Sequence, residues 1–164
     1  MKTLYLVGGT MGVGKTTVCE LLKERLDNAV FLDGDWCWNA DPFHVTEETK
    51  AIVLDNICHL LNNFLRCSAY ENILFCWVMD QQSIWDDILS RLDTETCTVR
   101  TVALVCDETA LRARLQKDIE SGRRTADITA RSLARLSRYA DLDAVRIDTS
   151  HLSPAEVCDA IRGL

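Results

Sequence analysis

Proline and glycine are scarce in the 164-residue chain, at two and seven residues. Those counts exclude a collagen-like repeat, a proline-rich linker and low-complexity disorder. No apolar run approaches the roughly 18 residues that suggest a membrane span. The apolar start, MKTLYLVGG, is too short for a signal peptide and runs straight into glycine. Basic side chains are few: 18 Lys plus Arg against 25 Asp plus Glu, a net charge of −7. Binding to a phosphate backbone depends on basic residues, so neither nucleic acid nor a membrane is expected as a partner. The acidity is spread along the chain and reads as solubility. The eight cysteines contain no CxxC pair, and neither they nor the three histidines have zinc-ligand spacing. Cys76 in ILFCWVM and Cys106 after VALV sit within apolar runs, where cysteine acts as a small hydrophobe. These absences leave a reduced, cytoplasmic protein of one domain, residues 1–164, expected as a monomer or homodimer.

What is present alternates between short apolar runs and helical patterns. Thr3–Val7, Ala29–Leu32, Ile73–Met79, Val99–Val105 and Ala144–Ile147 read as strands. Helical faces are marked by Val18, Leu21, Leu22 and Leu26, and by Val53, Ile57, Leu60, Leu61 and Phe64 after a cap at Thr46. Further helices are expected around Ile84–Leu92, Leu111–Ile119 and Ile128–Tyr139, and after the capping box Ser153-Pro154-Ala155-Glu156. Trp36–Val45, with Pro42, reads as loop. Continuous apolar strands separated by helices predict a parallel sheet covered on both faces. Ligands in such sheets bind beyond the carboxyl ends of the strands, which directs attention to Gly8–Thr17, Asp33–Asp35, Asp80 and Asp107.

Three of the few glycines fall at 9, 12 and 14, in Gly9-Thr10-Met11-Gly12-Val13-Gly14-Lys15-Thr16, and Gly8 adjoins them. This is the phosphate-loop (Walker A) pattern G-x-x-x-x-G-K-[ST], placed between a strand and a helix as the chemistry requires. A chance match in a chain of this length is rarer than about one in a hundred, taking glycine near its average frequency. The glycines let successive N–H groups face phosphate oxygens, and the helix beginning near Lys15 presents its positive end to them. Lys15 is placed to reach the outer phosphates and Thr16 to ligate Mg²⁺. Residues 9–17, including Thr17, form the expected nucleotide-binding set, with ATP and Mg²⁺ as cofactors.

No N-K-x-D guanine signature is present, and the length leaves little for the coupling elements of a mechanical ATPase. The chain resembles the small P-loop kinases, a nucleoside monophosphate kinase-like group that includes adenylate, shikimate, gluconate and adenylylsulfate kinases and overlaps AAA-type ATPases. Leu32-Asp33-Gly34-Asp35 is similar to the acids that in this group support the Mg²⁺ waters or orient the acceptor hydroxyl. Leu111-x-x-Arg114-Leu115 resembles the lid entry, where the arginine often stacks on adenine. Gly122-Arg123-Arg124-Thr125-Ala126-Asp127 resembles the lid, and Arg135-Leu136-x-x-Tyr139 the helix after it. The resemblance implies a three-layer α/β/α P-loop NTPase fold, sheet order 2-3-1-4-5, with a small helical lid at about 120–128 and an acceptor region at about 34–70. It also assigns metal support to Thr16 and Asp33, acceptor alignment to Asp35, charge stabilisation to Arg124 and Arg135, and base packing to Arg114.

Other readings stay open for several residues. Asp33-Gly34-Asp35 also suits a plain turn. Arg112, Arg131 and Arg138 suit a solvated helix face. Asp80 suits either a metal-holding acid or a cap for the next helix, whereas Asp107 reads as a helix start. Trp36 and Trp38 would lie on one side of an extended loop and line a pocket, or anchor the loop to the core. The expected function is ATP-dependent phosphoryl transfer to the hydroxyl or phosphate of a small-molecule acceptor. The alternatives are a regulatory nucleotide-binding ATPase module without such an acceptor, and a resistance-type phosphotransferase acting on a foreign compound.

Overall fold

A computed structural model of the chain describes all residues from Met1 to Leu164. Five parallel strands form one sheet in the order β2-β3-β1-β4-β5. They are β1 (Lys2–Gly8), β2 (Ala29–Asp33), β3 (Asn72–Trp77), β4 (Cys97–Val105) and β5 (Val145–Asp148). The helices are α1 (Lys15–Arg25), α2 (Glu47–Arg66), α3 (Gln82–Ser90), α4 (Glu108–Glu120), α5 (Ile128–Leu136) and α6 (Pro154–Arg162). The α/β/α architecture and the strand order are those expected from the sequence.

The central strands are apolar throughout because both faces of the sheet are covered. In β1, Leu4 and Leu6 join one core with Ile73, Phe75, Ile57, Leu61 and Trp85. Their neighbours Tyr5 and Val7 join the other, with Leu74, Cys76, Val18, Leu22 and Ile161. The alternation is the two-residue period of a strand, here with each side meeting helices. Strand β1 is central: Leu4 pairs with Ile73 of β3 and with Val99 of β4. Its carboxyl end, and with it the glycine-rich turn, therefore lies mid-sheet.

Helix starts are chemically explicit. Thr46 accepts from the Thr49 amide and Ser153 from the Glu156 amide in two capping boxes. Asp107 accepts from Ala110 N at 2.7 Å, the helix-start role expected of it. Two segments differ from expectation. The stretch after β2 is not all loop: Asp33 Oδ1 accepts from Asp35 N at 3.0 Å and starts a 3-10 helix over Gly34–Trp38. The pattern read as one helix from Ile128 to Tyr139 ends its α-helical part at Leu136 and continues as a 3-10 helix, Ser137–Asp141.

Candidate active site

The turn after β1 needs its glycines for two different reasons. Gly12 has φ +81° and Gly14 φ +108°, conformations that side-chain-bearing residues rarely adopt. At Gly12 there is also no room, since an added Cβ would lie 2.4 Å from Leu115 Cδ2. At Gly14 an added Cβ would meet nothing within 4 Å, so that face of the turn is open. Helix α1 then begins with no side-chain cap and no acid in its first turn. Its first N–H groups, on Lys15, Thr16 and Thr17, lack intrahelical partners by geometry, and they suit an anion.

Lys15 Nζ donates to Thr10 O at 3.0 Å across the turn. Burial pushes its pKa below the usual lysine value, while Cys76, Asp35 and Asp33 pull it back up. Thr16 Oγ1 donates to Asp33 Oδ2 at 2.7 Å, so the metal residues expected from the sequence are in direct contact. Both oxygens of the buried Asp33 are used, one by Thr16 and one by the 3-10 turn that presents Asp35. The turn reading of Asp33-Gly34-Asp35 holds, and it leaves Asp33 in contact with Thr16. Asp35 Oδ1 accepts from Trp77 Nε1 at 3.2 Å. Burial first, and the Asp33 charge second, raise the Asp35 pKa above the ordinary aspartate value, with Lys15 opposing. Magnesium takes few protein ligands where phosphates and waters complete its shell. A threonine hydroxyl beside a carboxylate at the head of an uncapped helix fits that requirement.

The arginines divide into three groups. Arg114 Nη1 donates to Val13 O at 3.0 Å and Thr149 Oγ1 at 2.9 Å, and its Nη2 to Thr149 O at 2.6 Å. Its edge therefore clamps α4 to the phosphate loop and to the segment after β5. Arg124 is held by Asp118 of α4, Nε to Oδ2 3.2 Å, and its charge is felt at both Lys15 and Asp35. Arg135 and Arg138 share the buried Asp80, at 3.3 and 2.7 Å. Arg135 Nη1 also lies 3.2 Å from Met11 Sδ, placing it against the phosphate loop. Asp80 does not cap α3, whose N-cap is Gln81, and Arg138 is not on a purely solvated face.

Trp36 and Trp38 do not lie on one side. The 3-10 helix has about three residues per turn, so residues two apart diverge. Trp36 packs edge-on against Phe31 with centroids 5.2 Å apart. Trp38 packs against Phe43 at 5.1 Å and Trp77 at 6.4 Å.

A family model described as an AAA domain matches residues 6–135. The chain belongs to the AAA domain family. The match runs from β1 to the end of α5, so it takes in the phosphate loop, both acids and the lid arginines. No curated protein sequence matches this AAA domain. Its fold is similar to that of a gluconokinase from Sinorhizobium meliloti 1021, at TM-score 0.71 and 18% identity, covering 97% of this chain and 89% of that one. A sugar kinase from Janibacter sp. HTCC2649 is similar at TM-score 0.71 and 16% identity, covering 98% and 92%. The tunicamycin resistance protein of Deinococcus radiodurans is similar at TM-score 0.68 and 14% identity, covering 99% and 94%. These likenesses establish the P-loop kinase fold. No helix of this AAA domain is long and apolar enough to cross a membrane.

Sequence reasoning missed the residues that hold these groups in place. The buried Ser132 of α5 binds the phosphate loop twice: Thr10 Oγ1 donates to Ser132 O at 2.8 Å, and Ser132 Oγ to Met11 O at 2.5 Å. Asp118 and Trp77, the partners of Arg124 and Asp35, carried no local signal. Only one hint existed: Ser132 is a small polar residue on the helical face it shares with Ile128.

Proposed function

We propose that this protein is an ATP- and Mg²⁺-dependent kinase that phosphorylates a hydroxyl group of a small molecule. The observation that carries the reading is the cluster Lys15, Thr16, Asp33 and Asp35, which sets a half-buried ammonium and two carboxylates around an uncapped helix start. The loop amides of residues 9–17 and Lys15 hold the phosphates. Thr16 and Asp33 would hold Mg²⁺, which when bound offsets charge on the outer phosphates. Asp35 accepts the acceptor's proton as that oxygen bonds to the γ-phosphorus and the bridging oxygen leaves with ADP. Arg124 and Arg135 stabilise charge on the transferring group without titrating. The flat face of Arg114 packs on the base while its edge keeps the clamp. The segment at about 120–128 serves as lid and excludes competing water. The region at about 34–70 holds the acceptor. The protein works in the cytoplasm as a monomer or homodimer.

The fold shared with a gluconokinase and a sugar kinase supports this reading. The test is ADP release by the purified protein with Mg²⁺ and ATP, screened against nucleosides, nucleotides, sugars and hydroxy acids. One class of hydroxyl compound is expected to stimulate turnover and to appear as a phosphate ester, and Lys15→Ala to abolish both. Slow hydrolysis that no acceptor stimulates, together with nucleotide-dependent binding of a protein partner, would overturn the kinase reading in favour of a regulatory module.

A further inference from the structure

A cavity of about 250 Å³ lies between the 3-10 turn and the start of α2, and its lining includes Cys37, Trp38, Pro42, His44, Ile52 and Val53. Asp35 is not among the lining residues; one side chain, that of Trp77, joins the acid to the cavity wall. Trp77 donates to Asp35 Oδ1 and its ring packs against Trp38 in the cavity wall. Two features set its chemistry. First, the segment from Gly34 to Thr49 contains no lysine or arginine, and its acids include Asp35 and Asp41. The next cation, Lys50, is paired with Glu47 at 2.8 Å. Lys15 and Arg124 are engaged on the phosphate side, with Thr10 O and Asp118. The lining itself holds no lysine, arginine, aspartate or glutamate, and His44 is its one imidazole, so an anionic acceptor lying here would find no lysine or arginine to pair with. Second, the lining is mainly apolar, with Trp38, Ala40, Pro42, Ile52 and Val53 among its residues, and Ile52 is exposed at the rim. Small-molecule sites combine apolar walls of this kind with few polar groups.

We infer that the acceptor is a neutral alcohol carrying an apolar ring, with the ring in the cavity beside Trp38 and a hydroxyl at Asp35. The inference rests on the kinase reading and narrows it: carboxylated and phosphorylated acceptors are disfavoured, although the fold accommodates them elsewhere. The occupant is a small molecule, because the cavity lies just below the roughly 300–1,000 Å³ of typical ligand pockets.

Three probes separate the contributions: phenyl β-glucoside, methyl β-glucoside and phenyl β-glucuronide. Their binding to the full chain, saturated with a non-hydrolysable ATP analogue and Mg²⁺, is read by tryptophan fluorescence and calorimetry. Phenyl glucoside is expected to bind at least about tenfold tighter than methyl glucoside, the low end of what burying an aromatic ring supplies. The glucuronide is expected to bind more weakly than the glucoside. Ile52→Lys, at a half-exposed rim position, should reverse that last preference while the protein still binds the ATP analogue. The inference is overturned if the phenyl group adds nothing, if the glucuronide binds as well as the glucoside, or if Ile52→Lys leaves their ratio unchanged. Its failure is distinct from failure of the kinase reading. Stimulated ATP turnover by an anionic acceptor would overturn the cavity assignment alone, and loss of ATP-analogue binding by the unmodified protein would overturn both.

Discussion

Replacing Arg114 by alanine separates two roles that one side chain can hold. Its guanidinium makes three hydrogen bonds, one to the phosphate loop at Val13 O and two to Thr149. Hydrogen bonds from a charged group are worth about 1.5–3 kcal/mol each. They are not additive, and water reaches part of this half-buried site, so the expected loss is about 2–4 kcal/mol. The buried Thr149 keeps one partner, since its hydroxyl also donates to Val105 O at 3.1 Å, which limits the damage. For a domain of this length the loss corresponds to a fall in Tm of roughly 5–15 °C. Thermal unfolding without nucleotide is the decisive assay, with ATP affinity measured in parallel. Arg114→Lys should recover less than half of the stability, because one ammonium cannot span both Val13 and Thr149 in the fixed fork geometry of arginine. If Arg114→Ala unfolded at the wild-type temperature while losing ATP affinity, the clamp would carry no energy and base contact would be the residue's only role.

Asp35→Asn is expected to stop phosphoryl transfer while ATP still binds. Because folding raises the Asp35 pKa, the unmodified protein loses stability as pH rises from the unfolded aspartate value through the folded one. The asparagine variant should therefore be at least as stable at pH 7 and show a smaller loss across that window in denaturant titrations. The sign is opposite in direction of pH for Lys15, whose folded pKa is lowered: the unfolded chain binds more protons between the folded value and 10.5, so stability rises with pH there. Lys15→Met should remove that rise as well as turnover, which a urea midpoint series from pH 8 to 11 would register. Gly12→Ala combines a left-handed φ, costing about 1–2 kcal/mol, with overpacking against Leu115 of about 1–3 kcal/mol. Chemical denaturation should show a loss of about 2–5 kcal/mol, and ATP binding should weaken with it.

The phosphate loop was legible because its determinants are local, whereas the sheet order was expected only through the resemblance to small P-loop kinases. A strand, a glycine pattern and a helix occupy Lys2–Arg25 without interruption. The acids at Asp33 and Asp35 were legible for a similar reason, since one ends the next strand in sequence and the other follows it by two residues. The holding contacts were not. Thr10 and Ser132 are 122 residues apart, Arg114 and Val13 are 101 apart, and Arg138 reaches Asp80 across 58. Each of these polar side chains suits a solvated helix face until the fold brings its partner. The error at Trp36 and Trp38 has a local cause: Asp33 caps a 3-10 turn where an extended loop was expected, and the two indoles separate.

The bonds from Ser132 to the loop, with Asp80 holding Arg135 and Arg138, pin the root of the lid. Swinging α5 as a rigid body would break buried hydroxyl contacts and expose a buried carboxylate. A movement confined to Ser121–Asp127, between the two helices, breaks none of these, and Gly122 at φ +73° supplies a pivot. On the proposed function, closure of this segment would leave the walls where they are, so nucleotide binding would require little reorganisation of the domain. Amide exchange should be fast across Ser121–Asp127 and slowed by ATP, with α5 protected in both states; equal exchange across the two segments would mean that the root moves with the tip.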